Sequence, residues 1–236
     1  MKKLVFALCL SLAAAAATVS TAAAAIEVTG DAYVGVADKY LWRGYELSGN
    51  TPVVQGGMDL SFSGITLSYW TNAQITDDGA AGLQGGEANE TDVVVDYSFD
   101  ASDMLSVSVG NILYALDGAA DTNELYVGLG LNTILAPSLT VYHDWDEFKN
   151  DRVFALSIGH DIEAGPLALS VGALANYADN TANEIWNTEL SLGASYPVTD
   201  QISLDASFIH SEPYGDDAKA AIDAENVGSF SVALSF

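Results

Sequence analysis

The sequence is poor in positive charge. Seven lysines and arginines stand against 32 aspartates and glutamates in 236 residues. A nucleic-acid partner needs clustered bases to neutralise phosphate, so DNA and RNA are excluded as partners. Cysteine is almost missing: Cys9 is the single instance, and it lies in a segment read below as a cleaved leader. The rest of the chain then has no disulfide framework, no thiolate metal site and no thiol nucleophile. Long apolar runs are missing as well. Beyond residue 25 nothing approaches the roughly 18 apolar residues of a membrane helix. If this chain spans a membrane it does so as a closed barrel, because only helices and closed barrels satisfy every backbone group in lipid. The acidity is not that of a disordered chain, since hydrophobic residues make up 50% of it.

What is present begins with an address. Lys2 and Lys3 give a positive start, Leu4 to Leu12 is apolar, and the alanine-rich stretch to Ala25 ends in Ala-x-Ala. That three-part pattern predicts a cleaved export signal over residues 1–25. The expected domain is then a single unit over residues 26–236.

Along that unit the dominant hydrophobic period is two, the period of strands. About twelve segments of roughly ten residues can be read, the length that a tilted strand needs to cross a bilayer. The first is read from Glu27 to about Trp42. In the segment from Val53 to Phe62, Val54, Met58, Leu60 and Phe62 oppose Gln55, Gly57, Asp59 and Ser61. Near Asp92, Val93, Val95, Tyr97 and Phe99 alternate with Asp92, Asp96 and Ser98. The links alternate between short turns, such as Ser63-Gly64 and Glu163-Ala-Gly-Pro166, and longer polar stretches. The longer ones are Arg43 to Pro52, Gln74 to Asn89, Ala115 to Asn123, Asp146 to Asp151, Ala178 to Glu184 and Ser211 to Glu225. Long external loops alternating with short periplasmic turns, an even strand number and both termini periplasmic describe an outer-membrane up-and-down barrel. The prediction is therefore an all-β antiparallel transmembrane barrel of twelve strands, with ten or fourteen as alternatives. A soluble sandwich would share the alternation, so other features have to separate the two.

One such feature is the aromatics at strand ends. Phe62, Phe99 and Tyr196 fall by short turns. Tyr40, Trp42, Tyr69, Trp70, Tyr114, Trp145, Tyr177 and Trp186 fall toward the longer loops. These are expected to form two interfacial girdles. Another is the end of the chain. Phe230, Val232, Leu234 and Phe236 alternate with small residues, which resembles the signal by which the barrel assembly machinery selects its clients.

Three stretches carry a resemblance to a family: Tyr40-Leu-Trp-Arg-Gly-Tyr45, then Pro52-Val-Val-Gln-Gly-Gly-Met-Asp-Leu60, then Gly64-Ile-Thr-Leu-Ser-Tyr-Trp70. Together they resemble the N-terminal signature of the TorF-family putative porins, a proteobacterial outer-membrane group of mostly unknown function. The resemblance covers about thirty residues. It implies a barrel and a porin role, with no catalytic residue and no known solute.

If the apolar face meets lipid, the opposite face lines the lumen. The candidate pore-lining residues are Gln55, Asp59, Trp70, Asp92, Asp96, Glu124, Asp144, Glu189 and Asp205, with Ser61, Thr66 and Ser68 beside them. A lumen rich in carboxylates attracts cations. The expected function is a porin-like channel for small cationic or neutral solutes. A plugged barrel is the rival, with carboxylates paired to Lys39, Arg43 and Arg152, because twelve strands enclose a lumen that side chains can fill. Arg43 is expected either to clasp several carboxylates together or to line a constriction. A non-conducting binding or structural barrel using the acidic outer loops is a further alternative.

Catalysis is not expected. The chain has three histidines, His143, His160 and His210, and no Gly-x-Ser-x-Gly or His-Glu-x-x-His motif. A rim-site hydrolase built on His143-Asp144 or His210-Ser211 is the remote alternative. The acidic stretches Thr76-Asp-Asp-Gly79, Asp117-Gly-Ala-Ala-Asp121 and Asp144-Trp-Asp-Glu147 lack the spacing of a calcium loop. No metal and no cofactor is expected. The partners implied are outer-membrane lipids, the assembly machinery and small solutes, with the barrel a monomer by analogy.

Overall fold

The computed structural model describes residues 28–77, 82, 84–179 and 182–236. The leader over residues 1–25 lies outside them, as does part of the acidic stretch around Asp78.

Alternating sequences pair with their neighbours and close. The wall consists of β1 (Thr29–Ala37), β4 (Val53–Phe62), β5 (Ile65–Gln74), β6 (Ala88–Ser102), β7 (Leu105–Leu116), β8 (Thr122–Leu131), β9 (Ser138–Asp144), β10 (Arg152–Ala164), β11 (Leu167–Asp179), β12 (Glu184–Pro197), β13 (Ile202–Pro213) and β14 (Glu225–Ser235). Each pairs antiparallel with the next, and β1 pairs with both β4 and β14, giving a closed barrel of twelve strands. Closure removes every sheet edge. The seam is stitched at the chain end, where Gly30 and Phe236 exchange backbone hydrogen bonds of 2.8 and 2.9 Å.

Register fixes which face is which. Ala32, Val34 and Val36 of β1 oppose Leu234, Val232 and Phe230 of β14 and Met58, Gly56 and Val54 of β4. Of these, Val34, Val36, Met58, Phe230, Val232 and Leu234 belong to an exposed apolar band that runs round the barrel through Tyr97, Leu129, Leu156, Leu192 and Phe208. An apolar exterior is the inverse of a soluble sandwich and is stable only against lipid. Of the terminal alternation, Phe230, Val232, Leu234 and Phe236 all stand exposed.

The two ends differ as the links predict. One end has two-residue turns at Ser63-Gly64, Asp103-Met104 and Gly165-Pro166, together with the start of β1 and the end of β14. The other carries the longer links, which in this topology face outward. The link over residues 214–224 contains a short helix, α1 (Asp216–Ala221). Glu184 accepts from the N–H groups of Asp216 and Ala218 at its start, at 3.0 and 2.8 Å. The turn after β6 comes later than the Asp100-to-Asp103 reading, because β6 continues to Ser102 through a register shift.

The first strand is where the structure departs most from the sequence reading. β1 stops at Ala37, not at Trp42. Leu41–Trp42 (β2) and Tyr45–Glu46 (β3) form a separate two-stranded hairpin. Arg43 and Gly44 have φ of 47° and 88°, the two left-handed residues of a type I′ turn. The pattern of two continues through Ala37, which hides the exit. The stretch from Arg43 to Pro52 is therefore not a plain external loop.

Candidate functional site

The hairpin folds into the lumen and reaches the far wall. Arg43 sits at its tip. Its guanidinium donates to both Glu124 carboxylate oxygens at 2.7 Å, a bidentate pair. Glu124 lies on β8, five strand positions round the closed wall from β1 by the shorter way, where six is the most that twelve strands allow. The Tyr114 hydroxyl donates to the same carboxylate at 2.9 Å. The guanidinium carbon lies 4.5 Å from the Trp42 ring centre and 4.3 Å from that of Tyr142. Burial opposes the charge on Arg43, but Glu124 outweighs it and holds the guanidinium above its usual range.

Aromatic rings pack around this clasp. Trp42 meets the edge of Tyr114 at 6.0 Å, Tyr45 stacks on Trp186 at 5.4 Å, and Tyr40 tilts against Trp70 at 5.3 Å. Each such pair is worth about 0.5–1.5 kcal/mol beyond its burial. Gly44 is required at the tip. A Cβ there would fall 2.8 Å from Ile222 Cδ1 and 3.0 Å from Asn187 Cβ.

The base of the hairpin is tied as firmly. Lys39 donates to Glu225 at 2.5 Å, and that carboxylate raises the Lys39 pKa above the usual lysine range. Asp38 and Gly228 bond reciprocally at 3.1 and 3.0 Å. Glu46 accepts from the Ser48 and Asn50 N–H groups, and Gln74 donates to the Ser48 carbonyl at 2.7 Å.

This placement corrects the girdle reading. Tyr40, Tyr114 and Trp186 are buried at 4, 6 and 7% exposure, and Trp42 and Trp70 pack beside Tyr40 in the lumen. Tyr69, Trp145 and Tyr177 do stand exposed on the outside. For Trp70 and Tyr114 the signal was strand parity, since they lie level with Asp92. Trp186 had no such signal. A register shift between Asn176 and Tyr177 turns both Trp186 and Asn187 inward, which simple alternation does not reveal.

Gln55, Asp59, Trp70, Asp92, Asp96, Glu124, Asp144, Glu189 and Asp205 all share the inward parity by register. They do not form one group. Trp70 and Glu124 touch the hairpin assembly. Asp144 accepts from Thr122 at 2.6 Å and from the N–H groups of Asp146 and Phe148. Gln55 donates to Asn72, Glu189 accepts from Asn187, Asp96 accepts from Tyr126 at 2.6 Å, and Asp205 accepts from Ser203. Asp59 lies deeper, opposite Asp31. Arg152 pairs with Asp179 at 2.9 Å, at the loop-end rim. Among the described residues no group of three or more His, Cys, Asp and Glu side chains could hold a metal ion.

On the outer side of the hairpin lies a cavity of about 380 Å³. Trp42, Tyr45, Tyr114 and Trp186 line it, with Glu90, Glu124 and Asp144 among them.

A family model described as "Bacterial protein of unknown function (Gcw_chp)" matches residues 20–225. The chain belongs to the Gcw_chp family. No curated protein matches it. Among solved structures this Gcw_chp chain is similar to the NanC porin, with 15% identity, a TM-score of 0.57 and coverage of 88% of this chain and 100% of that one. It is also similar to the outer membrane phospholipase A of Escherichia coli, at 16% identity and a TM-score of 0.47 over 88% of this chain and 92% of that one. A loop-deleted OmpT of Vibrio cholerae matches at 10% identity and a TM-score of 0.42, over 89% and 99%. At such identities the likeness to NanC is one of fold. This Gcw_chp chain is an outer-membrane β-barrel.

Proposed function

We propose that the barrel is a narrow, cation-preferring, porin-like channel for small solutes, with no catalytic role. The observation that carries this reading is the charge of the inner wall. Asp31, Asp59, Asp92, Asp96, Glu124, Asp144, Glu189 and Asp205 face inward by register, and the bases tied into the lumen are Lys39 and Arg43. Low-dielectric walls focus such a field and favour cations. The resemblance of residues 40–70 to TorF-family putative porins supports the same reading, as does a fold shared with a protein described as a porin. A non-catalytic role fits the contacts of His160 and His210. His160 contacts the Ile134 carbonyl, and His210 contacts Asn226 and Glu212. His210 and the buried Ser211 alternate to opposite faces of β13.

A second reading has one specific observation behind it. The hairpin crosses the lumen and is clasped at its tip, as in a plugged barrel that binds without conducting. Single-channel recording decides between the two. The refolded full barrel in a planar bilayer under a KCl gradient is expected to give stable steps with a cation-selective reversal potential. A folded barrel that gives no steps sinks the channel reading.

A further inference from the structure

Porin lumens are polar, yet the outer mouth of this one is largely aromatic and aliphatic. Beside the four rings, its cavity is lined by Leu47, Leu116, Phe148, Val153 and Ala178. The polar groups in the wall are mostly engaged. Glu124 is taken by Arg43 and Tyr114, Arg152 by Asp179, and Asn176 by Asn187. Hydrogen bonding, however, does not cancel charge. Glu90 accepts from Tyr40 and Asp144 from Thr122 and two backbone N–H groups. Together with Asp151 they have no basic partner among the described residues. The wall therefore combines flat apolar surfaces with three uncompensated negative charges. The Trp186 indole N–H, buried in the same wall, also has no partner.

We infer that this cavity binds small organic cations with a flat apolar body, the class of arylalkylamines. The body packs against the Tyr45–Trp186 stack and the aliphatic wall, where an apolar cavity favours an apolar occupant over water. The ammonium is drawn by Glu90, Asp144 and Asp151 and by the ring faces, a combination that favours a cation over a neutral isostere. Anions are opposed by the same carboxylates. One aromatic ring with a short amine tail fits within about 380 Å³. The inference names a solute class for the channel reading and rests on that reading for the passage of the bound cation, not for its binding.

The test is equilibrium dialysis of the folded full barrel in zwitterionic nanodiscs, with empty nanodiscs subtracted. The probes are 2-phenylethylamine, 2-phenylethanol and 3-phenylpropionate. The amine is expected to bind about tenfold tighter than the alcohol, with no measurable binding of the carboxylate. Glu90→Gln keeps an acceptor for Tyr40 and removes the charge. It is expected to weaken the amine about three- to tenfold and leave the alcohol unchanged. Amine and alcohol binding equally, or an amine affinity indifferent to Glu90→Gln in a barrel that still shows heat-modifiable migration, overturns the inference. Conductance without amine binding removes this site and leaves the channel reading standing. Amine binding without conductance does the reverse.

Discussion

The two halves of the lumen obey the same parity rule and are filled in opposite ways. Toward the loops, polar side chains are sealed: Asn72 and Asn187 have no exposed surface, Ser211 has 1% and Gln74 has 2%. Toward the short turns, Ser98, Ser170 and Ser207 on the same inner face are open to solvent. Several hydroxyls of this half meet in cross-strand pairs, Ser61 with Thr66 at 2.8 Å, and Ser138 with Ser157 and Ser207 with Ser229 at 2.7 Å, while Ser98 donates to Asp96 on its own strand. Side-chain size along each strand explains part of the contrast, since asparagine, glutamine and aromatics fill the outer half and serine and glycine the inner. The inward hairpin explains the rest. An inward-facing position in this barrel is structural where the hairpin reaches it and solvated where it does not.

The strongest way to break that contrast is to unfasten the tip. Glu124→Ala leaves Arg43 buried without its carboxylate. Loss of one partner of a buried pair costs about 3–5 kcal/mol, enough to undock a hairpin held in place mainly by side chains. The wall keeps its own ladder of backbone bonds. Trypsin cleavage after Arg43 is therefore expected to appear in Glu124→Ala, with heat-modifiable migration of the barrel retained. An uncleaved Arg43 in a folded Glu124→Ala barrel would show that the aromatic contacts alone hold the plug.

This clasp also shows where sequence reasoning reaches its limit. The barrel class, the strand number and the inward faces follow from period two and from the alternation of link lengths, because both are local properties of the chain. The two alternative roles for Arg43 could be stated because it is one of few bases among many acids. Its partner could not be read, since Glu124 lies 81 residues away and no period links them. The inward turn was hidden for a related reason. Leu41 and Trp42 look like the end of a membrane strand until Arg43-Gly44 is recognised as a two-residue turn between aromatics. Aromatics near strand ends are assigned to girdles on statistics; Trp70 also stands in the pore-lining set, and Tyr114, read as a girdle residue, shares its inward parity.

A gentler way to sharpen the same comparison is Gly44→Ala. The residue has φ of 88°, and a Cβ would crowd Ile222 and Asn187. The strain amounts to about 1–3 kcal/mol, applied to the hairpin and not to the wall. Partial undocking is expected, seen as a larger single-channel conductance or slower proteolysis at Arg43 than in Glu124→Ala. A lowered melting temperature with conductance unchanged would place the strain in the wall.

The smallest effect is expected in the solvated half. Asp205 lies on the inward face and meets Ser203 at 2.9 Å. Asp205→Asn removes one lumen charge without removing a packed contact, so its effect on stability should fall within about 0.5 kcal/mol. Its expected signature is electrical: a reversal potential shifted toward zero in a KCl gradient, with melting unchanged. If selectivity is set at the clasp instead, Asp205→Asn will leave the reversal potential where it was while Glu90→Gln moves it. That outcome would assign ion preference to the packed outer half and leave the inner half as a water-filled passage.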